Sequence, residues 1–140
     1  MKHRSEILLR WGDMDSMAHI NNIAWTAYLQ EARVDMFRSR LRGTAAQSLL
    51  GALVVAKIRV RFLRPMLAST QPLVAHTWIS AARAASLTVE CELGDDPADP
   101  YCTGTTTLAA FDFAADRLRR LTDAEREALS EFTVTARIDP

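Results

Sequence analysis

The densest run of reactive side chains in the sequence is Gly12-Asp13-Met14-Asp15-Ser16-Met17-Ala18-His19-Ile20-Asn21-Asn22, two carboxylates and an imidazole followed by a pair of amides. A carboxylate beside an acyl carbon can attack it or take a proton from water. An imidazole of ordinary pKa, about 6.5, can orient a substrate, a water or the carboxylate in either protonation state. If the Asn pair opens a helix, the first-turn N–H groups lack intrahelical partners and sit at the positive end of the dipole, so they can receive the oxyanion of an acyl transfer. On these grounds Asp15 is the expected nucleophile or general base, His19 its assistant, and Asn22 and Ile23 the oxyanion donors. Plainer readings stay open: Asp13 and Asp15 can cap turns ahead of a helix, and His19 can be structural. Asp13, Asp15 and His19 also offer two carboxylates and an imidazole to a metal, but with no second ligand cluster, and no metal is expected.

Such a loop must be held by rigid neighbours. Ile7, Leu9 and Trp11 alternate with Leu8 and Arg10, which predicts a short first strand, and Gly12 to Asn22 reads as a loop. From Ile23 the period becomes helical: Trp25, Leu29, Ala32 and Met36 form a stripe that Ile23, Ala27, Val34 and Phe37 widen, so the longest helix should be buried on most sides. Asn21 or Asn22 can cap it, and Gly43 beyond Arg38, Arg40 and Arg42 can stop it. Glu31, one turn from Ala27 and Val34, would have a raised pKa if buried; a salt bridge or exposure is the alternative. Ala56, Ile58, Val60 and Phe62 alternate with Lys57, Arg59, Arg61 and Leu63, a long half-buried strand ending near Pro65. Further strands are predicted over residues 73–80, 87–93 and 101–113. Thr122 followed by Glu125 forms a capping box for a short helix through Ser130. His76 within a strand and His3 near a mobile terminus read as structural or incidental.

The whole is one α+β domain over residues 1–140. Strands joined by short turns favour an antiparallel sheet, and a helix apolar on most sides needs something curled around it. Hydrophobic residues make up 49% of the chain, enough for a core and against global disorder. Lys plus Arg and Asp plus Glu both number 17, which argues against nucleic acid or an anionic membrane as partner, although Arg59, Arg61 and Arg64 could hold a small polyanion. Two cysteines outside any CxxC pair, no signal-type apolar segment and no bilayer-length run point to a cytoplasmic location.

Arg10-Trp11-Gly12-Asp13-Met14-Asp15 through His19-Ile20-Asn21-Asn22, continuing to Tyr28 and Glu31-Ala32-Arg33, resembles the motif of hotdog-fold acyl-CoA thioesterases of the 4-hydroxybenzoyl-CoA thioesterase type. Residues 54–65, the corner Arg83-Ala84-Ala85-Ser86 and Arg120-Leu121 are similar to later parts of that family. The resemblance implies a five-stranded antiparallel sheet wrapped around one long helix, with a short C-terminal helix, and a homodimer or homotetramer with active sites at subunit interfaces. It implies hydrolysis of an acyl-CoA or acyl-carrier-protein thioester without a cofactor. Asp15 matches the family's catalytic aspartate, the N–H near Asn22 its oxyanion donor, and His19 a histidine of related acyl-carrier-protein thioesterases. Arg83 and Ser86 fall where members contact the CoA nucleotide, and a phosphate role for Arg59, Arg61 and Arg64 follows from their charge. Three positions depart: Ala18 stands for a usual Gly, Trp25 for a common Tyr and Gln30 for a frequent Glu. Trp25, Tyr28 and Leu29 can shape the acyl pocket. The rival readings are an enoyl-thioester hydratase or dehydratase on the same scaffold, and a non-catalytic acyl-thioester binding protein.

Overall fold

The computed structural model describes residues 1–134. Strands β1 (His3–Ile7), β2 (Leu53–Phe62), β3 (Leu73–Ala82), β4 (Ser86–Leu93) and β5 (Cys102–Asp112) form a sheet in the order β1-β3-β4-β5-β2, each neighbouring pair antiparallel. A two-residue strand, β6 (Arg117–Leu118), extends the end of β5. Bulges between Val55 and Lys57 and between Ile79 and Ala81 add curl. The concave face holds α1 (Asn22–Leu41), and α2 (Asp123–Ser130) closes the far end. This is the expected hotdog arrangement.

Helix α1 rests on the sheet through Ala24, Trp25, Tyr28, Leu29, Ala32, Met36 and Phe37. Its approach to β5 is close: a Cβ on Gly104 would lie 2.7 Å from Leu29 Cδ1, so glycine is what admits the helix there. The first half of α1 packs with Ile7, Leu73, Leu93 and Cys102, the second half with Ile79, Leu87, Leu108 and Leu129. The opposite side, with Ile23, Thr26, Gln30 and Glu31, faces solvent. The expectation of burial on most sides is therefore corrected, because the five strands of one chain cover one face of the helix only.

Two strand expectations also change. The first strand lies at His3–Ile7 rather than over residues 7–11, and Trp11 instead opens a 3-10 turn, Trp11–Asp13. The polar residues His3 and Ser5 occupy inward-facing positions, which hides the period. His3 is a buried strand residue, its Nε2 2.7 Å from Asp35 Oδ2 and its Nδ1 accepting from Arg40 Nε. Strand β2 is not half-buried: it is an edge strand of the sheet, as β1 is at the other end, with Lys57, Arg59 and Arg61 exposed on one face and Val55, Ile58 and Phe62 about half exposed on the other. The Thr122–Glu125 capping box is formed as expected. No helix among the described residues is long and apolar enough to cross a membrane.

Candidate active site

Between β1 and α1 the chain makes a small closed loop. Asp15 N–H donates to His19 O at 2.8 Å, Ala18 N–H to Asp15 O at 3.1 Å, and Asn21 N–H to Asp13 O at 3.0 Å. Ile20 N–H donates to Met66 O and Ala68 N–H to Ala18 O, which laces the loop to the segment after β2. Ala18 takes φ 59°, the left-handed conformation that favours glycine. Ala18 thus takes a conformation that a Gly would adopt freely, at some conformational cost.

The two loop carboxylates are used differently. Asp13 is fastened: its Oδ2 accepts the Tyr28 hydroxyl at 2.7 Å, and Arg10 reaches both its oxygens at 3.2 Å. The Tyr28 hydrogen bond, helped by Arg10 and opposed by burial, holds the Asp13 carboxyl below the usual carboxylate range. Burial and the neighbouring carboxylate push the Tyr28 phenol up. Asp13 therefore anchors the loop to the middle of α1 rather than facing a substrate. This network escaped the sequence reading; its signal was Arg10 three residues before Asp13 and a Tyr among the inward positions of the helix.

Asp15 is exposed, and its Oδ1 accepts from the backbone N–H of Met17 at 2.9 Å and of His19 at 3.1 Å. The turn-capping reading is thereby realised for one oxygen, while Oδ2 has no partner among the described residues. The same two bonds that close the loop fix where that second oxygen points. His19 is half-buried and pairs by its backbone with Leu67.

Asn21 is the cap of α1: its side-chain oxygen accepts from Ala24 N–H at 2.8 Å, and its Nδ2 donates to Asp13 O. The amides of Asn22 and Ile23 have no acceptor among the described residues. They open beside a cleft of about 300 Å³ lined by Ile20, Asn22 and Trp25 from the helix side and by Phe62, Leu63 and Arg64 from the end of β2. Trp25 is buried, stacked on Tyr101 with centroids 6.1 Å apart and edge-on to Tyr28 at 6.0 Å. Loop and cap thus leave one carboxylate oxygen and two amides without partners among the described residues at one end of the sheet, the kinds of group that adding water to a carbonyl requires, while Asp15 and His19 are not among the residues that line this cleft.

Other expected site residues lie elsewhere. Glu31 is exposed on the solvent side of α1, so the proposal of an apolar environment for its carboxylate is corrected. Arg64 is engaged: its guanidinium stacks 3.7 Å over the Tyr101 ring, its Nε is 3.5 Å from Asp99 Oδ1, and its Nη2 donates to Asp99 O. Arg59 and Arg61 project from the other face of β2, paired in register with Thr105 and Thr103. Arg83 and Ser86 form the β3–β4 corner, where Arg83 N–H donates to Ser86 O. That corner is at the opposite end of the sheet from the α1 start, roughly 30 Å along β3 at about 3.3 Å per residue. One chain does not bring it to Asp15.

A family model described as the thioesterase-like superfamily matches residues 9–132. Among solved structures, the chain is similar to the PA2801 protein of Pseudomonas aeruginosa, assigned as a thioesterase, with 30% identity, TM-score 0.73, and coverage of 91% of this chain and 98% of that one. It is similar to a predicted thioesterase from Bacillus stearothermophilus at 20% identity and TM-score 0.82, covering 97% and 99% of the two chains. DHNA-CoA thioesterase from Staphylococcus aureus is matched at 19% identity and TM-score 0.76, covering 93% and 89%. No curated protein matches the chain.

Proposed function

The chain belongs to the thioesterase-like superfamily and is a thioester hydrolase, and from that premise we propose that it cleaves acyl-CoA thioesters at the start of α1, with Asp15 as nucleophile or general base. The observation that carries this is the half-used carboxylate: Oδ1 is pinned by two loop amides while Oδ2 has no partner among the described residues, in the loop that leads into a helix start whose first two amides have no acceptor there either. In the general-base form, Asp15 takes a proton from water as the oxygen bonds to the acyl carbon, and the oxyanion is held by the N–H of Asn22 and Ile23. Collapse breaks the C–S bond, and the departing thiolate takes the proton from Asp15, giving acid and thiol. His19 assists by orienting the acyl group or the water. An acyl-carrier-protein thioester is the second form of the same reaction. CoA is favoured because the neighbour from Staphylococcus aureus is a CoA thioesterase and because Arg59, Arg61 and Arg83 supply cations for phosphates.

The site is completed by a second copy. Strand β2 is an open edge whose apolar side chains Val55, Ile58 and Phe62 stand in solvent, an arrangement that invites pairing. Two β2 edges joined antiparallel about a two-fold axis set the Phe62 end of one against the Leu53 end of the other. The Arg83–Ser86 corner of each subunit then comes to the end of the joined sheet where its partner's α1 begins, which resolves the separation seen within one chain.

The test is thiol release over a panel of acyl-CoA esters with Asp15→Asn alongside. Asn keeps an oxygen for both loop amides, so folding should be unchanged while turnover falls about 10²-fold or more. Undiminished turnover would remove Asp15 from the mechanism. Sedimentation at working concentration should give a dimer or tetramer; monomer alone contradicts the shared site.

A further inference from the structure

Arg33 is the charged residue that α1 buries, with 8% of its surface exposed. A guanidinium carries five N–H donors. The hydrogen bond it makes among the described residues runs from Nη1 to Thr106 Oγ1 at 3.3 Å, to a neutral acceptor. No carboxylate pairs with it among those residues. The titratable group that acts on its charge is the Cys91 thiol, which burial pushes up to about 11 and so leaves neutral at pH 7. A buried cation without an anion is costly, and local violations of that kind concentrate at functional sites.

The side chain lines a solvent-open groove of about 260 Å³ between α1 and the edge strand β2, whose lining also includes Gln30, Phe37, Leu53, Val55 and Leu108. Apolar walls around a few convergent polar groups are what a small-molecule subsite requires. We infer that this groove receives the far end of the acyl group, and that Arg33 is a specificity-determining residue selecting acyl chains that end in a carboxylate. The inference rests on the shared site proposed above, because antiparallel pairing of β2 edges lays the Leu53–Val55 end of one subunit beside the α1 start of the other. A groove of this size suits an acyl chain of medium length, and octanedioyl, with six methylenes and a carboxylate beyond its thioester carbonyl, serves as the probe.

The experiment compares kcat/KM for octanoyl-CoA and octanedioyl-CoA in the wild type, Arg33→Met and Arg33→Lys. A charge-assisted hydrogen bond in such a site predicts a preference for octanedioyl-CoA of about 10- to 100-fold in the wild type, lost in Arg33→Met and partly kept in Arg33→Lys. Methionine replaces an unpaired buried charge with an apolar chain, so the variant should fold, and its unfolding midpoint checks this. Calorimetric binding of free octanedioate against octanoate, in the wild type and in Arg33→Met, gives a readout apart from hydrolysis. Hydrolysis of both esters without preference, or a preference that survives in Arg33→Met, overturns the role of Arg33 while leaving the thioesterase reading intact. Octanedioate binding that depends on Arg33, with neither ester hydrolysed, supports the subsite and counts against the catalytic reading instead.

Discussion

Replacing Tyr28 by Phe removes one oxygen and leaves the ring, so the loss isolates the bond that ties the Asp13–Asn22 loop to α1. The Tyr28 hydroxyl is 2.7 Å from Asp13 Oδ2, and Tyr28 is 1% exposed, so water cannot replace the phenol as a donor from that side. A hydrogen bond to an ionised acceptor contributes about 1.5–3 kcal/mol. Because Arg10 still holds both Asp13 oxygens, the lower half of that range, about 2 kcal/mol, is the expected loss for Tyr28→Phe. The sign with pH follows from Asp13, whose carboxyl is held low first by Tyr28 and then by Arg10 against the cost of burial. A depressed carboxylate stabilises the fold fully above its ordinary value and loses that stability as pH falls through the folded value. The gap between wild type and Tyr28→Phe should therefore be full near neutrality and shrink below about pH 4. Urea unfolding followed by tryptophan fluorescence, on wild type, Tyr28→Phe, Asp13→Asn and the double variant at pH 7 and pH 3, measures this. A coupling energy under about 0.5 kcal/mol at pH 7, or a gap that widens in acid, would refute the anchoring role.

Three further outcomes are expected. Ala18→Gly relieves an L residue at φ 59°; about 1–2 kcal/mol of strain less about 0.5–1 for glycine's entropy leaves a net gain near 0.5–1 kcal/mol, and a lowered calorimetric midpoint would show that the loop bears no such strain. Glu125, paired with Arg119 at 2.8 Å and capping α2, has its carboxyl held at about 2 rather than 4.5, chiefly by Arg119. At about 1.4 kcal/mol per pH unit this is on the order of 3 kcal/mol of stability, complete above pH 4.5 and lost toward pH 2; Glu125→Gln should show the deficit at pH 7 and not at pH 2 in denaturant titrations. Gly104→Ala places a methyl 2.7 and 2.9 Å from the Leu29 methyls, with Leu29 only 3% exposed and unable to swing away. A destabilisation of about 1–3 kcal/mol is expected, and equal stability by thermal unfolding would mean that α1 does not press on β5 there.

The parts of the fold that were legible in the sequence are those whose local chemistry and burial agree. The α1 cap at Asn21, the Thr122–Glu125 box and the strict alternation of β4 each depend on residues a few positions apart, and each formed where expected. The parts that were not legible depend on position in the sheet. Strand β2 alternates as cleanly as a half-buried strand, yet it is an edge in one chain, and no local pattern distinguishes an edge from an interior strand awaiting its neighbour. Strand β1 carries His3 and Ser5 inward, and His3 is made tolerable there by Asp35 and Arg40, more than thirty positions away in sequence. For the site, Asp15 could be chosen from its loop, but the spending of Asp13 on Tyr28 fifteen residues later could not be read without the helix in place.

That division between the two aspartates bears on whether the departures at Ala18, Trp25 and Gln30 disable the site. Ala18 keeps the left-handed turn, so Asp15 still receives both loop amides. Trp25 lines the cleft from the helix side and stacks on Tyr101, which in turn carries the Arg64 guanidinium, so that wall is backed by a braced aromatic pile. Gln30 lines the same groove as Arg33, so a Glu there would bring a negative charge to the groove in which the guanidinium has no carboxylate partner among the described residues. The three substitutions leave the groups at the helix start in position. In the proposed reading the other two, Trp25 and Gln30, bear on what surrounds the acyl chain, which is where a change of substrate, rather than a loss of catalysis, would be written. Gln30→Glu should accordingly weaken any carboxylate preference conferred by Arg33 and leave octanoyl-CoA hydrolysis within a few fold, and kcat/KM on the two esters would show a collapse of both rates if Gln30 instead served the reaction itself.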